Sequence, residues 1–204
     1  MLRFFAVIGA GLCLAVSPVQ DRRPVREPLA PSDAARFAAK WAGVVARGDV
    51  PAARRRQGVQ TTVTETEFNA YLRFTAKDAI PAGIVNPYVF ALGNGRLAGE
   101  ATVDLDAVRL SRPRGVFDFA QLLRGQVAVT VAGVLRSERG AARLDLESAT
   151  AGGFALPKPL LQELVSFYTR TASNPAGVSL DAPFALPSGI REIAVQVRKA
   201  VITQ

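Results

Sequence analysis

Two periods of apolar and polar residues run along the chain, and each marks a kind of element. Phe37, Trp41, Val44 and Val45 recur at the spacing of one helical face, between Ser32, which can cap a helix, and Gly48, which can end one. Residues 49–60, with Pro51 and Arg54-Arg55-Arg56, read as loop. Thr64 followed three residues later by Glu67 is a capping box, and Phe68, Tyr71, Leu72 and Thr75 then share a second helical face. Pro157 and Pro159 introduce a third helix with a stripe of Leu160, Leu161, Leu164, Val165 and Tyr168.

The other period is two. Tyr88 to Leu92 forms a strand and Gly93-Asn94-Gly95 a turn. Leu97, Gly99, Ala101, Val103 and Leu105 then lie on one face, against Ala98, Glu100, Thr102, Asp104 and Asp106 on the other. Val127, Val129, Val131, Gly133 and Leu135 make a third strand, and Ala142, Leu144, Leu146 and Ser148 a fourth, turned at Arg139-Gly140. A last strand alternates through Ile193, Val195, Val197 and Val201. Residues 111–125 interrupt the pattern as an apolar connection containing Phe117, Phe119, Leu122 and Leu123. Strands joined by short turns, with amphipathic helices before and after, give an α+β fold: a long twisted antiparallel sheet packed on or wrapped around amphipathic helices. The glycines at 93, 95 and 99 are not a dinucleotide fingerprint, because their spacing is off by one and a strand, not a helix, follows.

The N-terminus adds a destination. Arg3 precedes an apolar run from Phe4 to Val16, the layout of a signal peptide. As a helix this run would reach about 20 Å, short of the ~30 Å hydrocarbon core. Residues 1–17 are therefore expected to be a signal peptide, with a retained anchor as the alternative because Pro18 would follow a cut after Ser17. Cys13 as a lipidation site is weaker still, since Leu12 precedes it. Residues 18–31, with four prolines, read as a linker, and 32–204 as a single domain in the periplasm or cell envelope.

Composition then narrows the chemistry. The 204 residues include no histidine, and the one cysteine lies in the export segment. That removes the usual general base, the commonest metal ligand, thiol nucleophiles and disulfides. No metal, cofactor or catalytic residue is expected. The acids Glu100, Asp104, Asp106, Asp145 and Glu147 are the remaining candidates for carboxylate hydrolysis or calcium binding. Lysine occurs only at 40, 77, 158 and 199, in no recognisable Ser-Lys motif. The net charge of +8 is carried mainly by scattered arginines. Its one tight cluster, Arg54-Arg55-Arg56, is a solvated face or a contact for an anionic membrane surface; no aromatic-basic stripe points to nucleic acid.

The segment Thr64-Glu65-Thr66-Glu67-Phe68-Asn69-Ala70-Tyr71-Leu72 resembles a helix start found in exported bacterial proteins similar to the tubular lipid-binding (TULIP-like) group. Pro183-Phe184-Ala185-Leu186-Pro187, Ile190 and the final strand fit the same layout. The resemblance implies a sheet that wraps a helix and binds a lipid or another hydrophobic ligand between its apolar face and helix 157–172. The lining residues would be Phe68, Leu72, Val103, Leu105, Val129, Val131, Leu144, Leu146, Leu161, Leu164, Val165 and Tyr168. An envelope scaffold that binds another protein and a small carboxylate hydrolase stay open as alternatives.

Overall fold

The computed structural model describes residues 25–80, 83–104, 106, 125–168, 175–177, 179–180 and 182–204. The expected export segment, Leu105 and the connection 111–124 lie outside these residues.

Helix α1 (Pro31–Asp49) starts with Pro31, whose missing N–H costs nothing in a first turn. Asp33, not Ser32, closes that end: its carboxylate accepts from the Ala30 N–H at 3.1 Å and pairs with Arg36. Part of the expected loop 49–60 is ordered as a short 3-10 turn (Ala52–Arg54) and the first residue of strand β1 (Gln60–Thr64). β1 ends on the residue that caps α2 (Glu65–Phe74), and the capping box forms as expected. The Glu67 N–H donates to Thr64 Oγ1 at 3.1 Å and the Thr64 N–H donates to Glu67 Oε2 at 2.9 Å.

The expected last strand is two strands, β8 (Glu192–Gln196) and β9 (Lys199–Thr203). Arg198 turns the chain between them with φ of 60°. The strands β1, β9 and β8 form a small antiparallel sheet. It packs with the helices around Phe37, Val44, Val63, Ile190 and Ile202, with Trp41, Phe68 and Tyr71 against this core. The Phe37 ring meets Tyr71 at 4.6 Å and Phe68 at 5.6 Å between centroids.

A second antiparallel sheet runs β2 (Ile84–Gly93), β3 (Arg96–Asp104), β4 (Gln126–Glu138), β5 (Ala141–Ala151) and β6 (Phe154–Ala155), with β7 (Phe184–Ala185) on the end of β5. Asn94 and Gly95, both at positive φ, turn β2 into β3 as expected. Helix α3 (Lys158–Tyr168) buries Leu161 against Ala149 and Leu180, with Val131, Leu146, Leu156 and Val165 around them. The chain is thus an α+β fold with a large antiparallel sheet, as the alternation implies.

Candidate ligand-binding surface

The polar residues of the α2 start have specific structural work. β2 is an edge strand, and an edge leaves N–H and C=O groups to be satisfied. Asn69, with no solvent exposure, does this with its amide. Nδ2 donates to the Val89 carbonyl at 2.7 Å and Oδ1 accepts from the Val89 N–H at 2.8 Å. Glu65 accepts from the Ala91 N–H at 2.8 Å and from the Tyr88 hydroxyl at 3.3 Å. The Arg198 N–H donates to the Ala91 carbonyl at 2.8 Å, so the β8–β9 turn completes the seal. Burial, together with the Glu65 carboxylate, pushes the Tyr88 phenol up, which keeps its proton available for that bond. Glu67 is held by both carboxylate oxygens to Lys40 Nζ, at 2.8 and 2.7 Å.

Residues read as linker also reach this junction. Arg26 pairs with Glu100 at 2.9 Å and lies over the Tyr88 ring, 5.1 Å from its centroid. Glu27 donates its N–H to the Tyr88 hydroxyl at 3.2 Å and lies 2.5 Å from the Arg198 guanidinium.

Strand register then defines one apolar face. Val103 faces Val127, Ala101 faces Val129, and Gly99 faces Val131 across β3 and β4, while Ile84 of β2 faces Val103 and Val89 faces Gly99. Opposed residues share a face, so these side chains form one surface. Its two halves differ. On the β4–β5 half, α3 closes over Val131, Ala149 and Leu146 with Leu161. On the β3 half, Val103, Val127 and Val129 are only half-buried, and among the described residues a Cβ placed on Gly99 would meet no atom within 4 Å. Small residues at 99 and 101 leave that space open on the face they share with Val103 and Val129.

A cleft of about 580 Å³ lies between the end of α2 and the start of β2. Leu29, Leu72, Ile80, Ile84, Val85, Pro87 and Tyr88 supply its apolar wall, and Arg26, Arg73 and Lys77 its charge; among the described residues no acid lines it. A second cavity of about 550 Å³ lies between β4, β5 and β8, where Arg136 and Arg143 are balanced by Glu138 and Glu192.

Among the described residues, the expected lining residues are spread over several places. Phe68 belongs to the Phe37 core. Leu72 lines the cleft, at the far end of the same helix. Val103 and Val129 lie on the open half of the sheet face. Val131, Leu146, Leu161 and Val165 pack together under α3, where the expected groove is filled by protein. Leu144 faces Leu135 farther along β5. Leu105 and the side chains of Leu164 and Tyr168 lie outside the described residues. Sequence reasoning missed Gly99 as a gap and missed Arg26, Arg73, Lys77 and Ile84. A basic residue one step beyond Leu72, on the helix already singled out, was the available signal.

The strand acids are dispersed. β4 separates β3 from β5. Glu100 is held by Arg26, Glu147 by Arg96 at 3.0 Å, and Asp145 by Arg136 and Arg143 at 2.8 and 2.6 Å. Hydrogen bonds from Arg143 and Arg136 hold the Asp145 carboxyl below the ordinary aspartate value. Among the described residues no three acids gather as a metal would require. The arginine cluster also splits. Arg55 donates to the Gly48 and Val50 carbonyls at 2.6 and 2.9 Å, bracing the end of α1, while Arg54 and Arg56 are exposed.

No family model and no curated protein matches this sequence. Among solved structures, the crystal structure of a lipopolysaccharide binding protein is similar at 13% identity and a TM-score of 0.22, over 71% of this chain. The matched part spans 40% of that protein's length. The superposition is loose, and the ligand reading that follows rests on the residues of this chain alone.

Proposed function

We propose that this chain is an exported, non-catalytic protein that binds a lipid or another hydrophobic ligand on the open half of its large sheet. The open space at Gly99, found among the described residues, carries the reading. A half-buried apolar face with vacant space at its centre leaves surface whose burial by a ligand is favourable, at roughly 25 cal/mol per Å². Two features support binding without catalysis: the sequence has no histidine, and the buried acids Glu65 and Glu67 are engaged in holding α2 to its neighbours. The apolar run after Arg3 supports export. A TULIP-like lipid carrier is the finer form of the same proposal.

Gly99→Leu tests it. Gly99 has no positive φ to strain a side chain, and leucine would grow into empty space. The variant is expected to fold with equal or higher Tm, because glycine weakens a strand interior. It is expected to bind a pyrene-labelled fatty acid at least about tenfold more weakly than the parent protein. Equal affinity of the two proteins, or no binding by the parent, rejects the proposal.

A further inference from the structure

We propose that a small pocket beside the Arg54-Arg55-Arg56 loop is a binding site for a phosphate group, independent of the lipid reading above. The pocket has a volume of about 220 Å³ and is lined by Arg55, Gln57, Gly189, Arg191 and Gln204. That is room for a phosphate group and a few waters, at about 30 Å³ per water.

The two guanidinium groups come from separate segments, and each is held in place. Arg55 donates Nη2 to the Gly48 and Val50 carbonyls and Nε to the Val50 carbonyl at 3.3 Å, which leaves Nη1 without a partner among the described residues. Its guanidinium lies over Gly189, where a Cβ would be 2.7 Å from Arg55 Cζ, so only glycine leaves it that place. Arg191 donates Nη1 to Gln57 Oε1 at 3.0 Å, which leaves Nε and Nη2 without a partner among the described residues. Gln204 makes a fixed wall: Nε2 donates to the Val44 and Ser188 carbonyls at 2.8 and 2.7 Å, and Oε1 accepts from Arg47 Nε at 2.7 Å.

The charge around the pocket is positive. Arg47, Arg54, Arg55, Arg56 and Arg191 gather here. Against them stand Asp49, the C-terminal dipole of α1, worth about half a charge, and any chain-terminal carboxylate on Gln204. Glu192, next to Arg191, lines the second cavity instead. Two positioned guanidinium groups with free N–H donors suit the several acceptor oxygens and the double charge of a phosphate.

Calorimetry with inorganic phosphate, and sedimentation with phosphatidylcholine vesicles containing phosphatidic acid, test the site on the folded protein. Saturable binding at about 1 mM or tighter is expected, weakening as salt rises. Arg191→Gln is expected to weaken it at least about tenfold with Tm unchanged, because that side chain is exposed and its printed bond is to Gln57 alone. Arg54→Gln removes the same charge from the same surface without touching the pocket, and is expected to stay within about twofold of the parent. Saturation by inorganic phosphate supports the site with a free phosphate compound as its ligand. Binding to the vesicles alone, with the same dependence on Arg191, supports it with a lipid head group as the source. No saturable binding of either probe overturns the inference. Equal losses in Arg191→Gln and Arg54→Gln, or binding that survives Arg191→Gln, overturn it as well, by reducing the arginines to a diffuse positive surface.

Discussion

At the scale of single residues, Asn69 shows how one side chain substitutes for a strand. Its amide offers the donor and acceptor that a neighbouring peptide group would offer, and pairs with both backbone groups of Val89. Nδ2 also donates to the Glu65 carbonyl at 2.9 Å. Truncation would leave buried backbone groups unpaired, at about 1–3 kcal/mol each. Asn69→Ala is therefore expected to lower the unfolding free energy by about 3 kcal/mol, measured by urea denaturation. Asn69→Asp removes the donor and puts a second carboxylate beside Glu65, so at neutral pH it should be at least as damaging. A loss below about 1 kcal/mol for either variant would mean that water satisfies Val89 equally well. The glutamates at 65 and 67 belong to the same scheme: acids in a helix start that look available for acid–base work are held by backbone N–H groups, Tyr88 and Lys40.

At the scale of elements, close approach decides where glycine is required. Gly48 sits in the last turn of α1, and a Cβ there would be 2.5 Å from the Ser188 backbone. Alanine would gain up to about 1 kcal/mol in helix propensity but force a backbone shift costing about 1–3 kcal/mol. Gly48→Ala is therefore expected to be destabilising by about 1–2 kcal/mol. Gly43, in the same helix, meets only the flexible end of Arg47 at 3.4 Å. Gly43→Ala should instead raise Tm, and thermal melts of the pair that move in the same direction would refute the contrast. Much of this level was legible in the sequence. Alternation located β3, β4 and β5, and the capping box located α2. β8 and β9 merged into one expected strand because Val197 continues the alternation and Arg198, not glycine or asparagine, occupies the left-handed turn position. β1 went unassigned because it is short and leads directly into a helix cap. The cleft was illegible for a different reason. Arg26, Arg73, Lys77 and Ile84 come from separate segments, and only the docking of α2 on the edge of β2 brings them together.

At the scale of the molecule, α2 is the joint between the two sheets. It contributes Phe68 and Tyr71 to the core of the small sheet and Asn69 and Glu65 to the edge of the large one, and Lys40 of α1 ties it down through Glu67. The Glu67–Lys40 pair makes the joint sensitive to acid. Burial pushes the Glu67 carboxyl up, but hydrogen bonds from Lys40 and from the Thr64 N–H, with the lysine charge, outweigh it and hold the group below the ordinary glutamate value. A carboxyl depressed in the folded state contributes its stability in full above the unfolded value of about 4.3 and loses it as pH falls through the lower folded value. Stability is thus expected to decline below about pH 4.3. In Lys40→Met the strongest opposing cation is gone, and Arg36, 3.6 Å from Glu67, is a weaker substitute. Burial then dominates and raises the Glu67 value, so protonation now favours the folded state: by urea denaturation Lys40→Met is expected to be less stable than the parent near neutral pH, with the gap closing as pH falls below about 4.3. Glu67→Gln removes the titration, and its stability should vary less with pH across the same range. A stability gap between the parent and Lys40→Met that is the same on both sides of about pH 4.3 would place the acid-sensitive contact elsewhere.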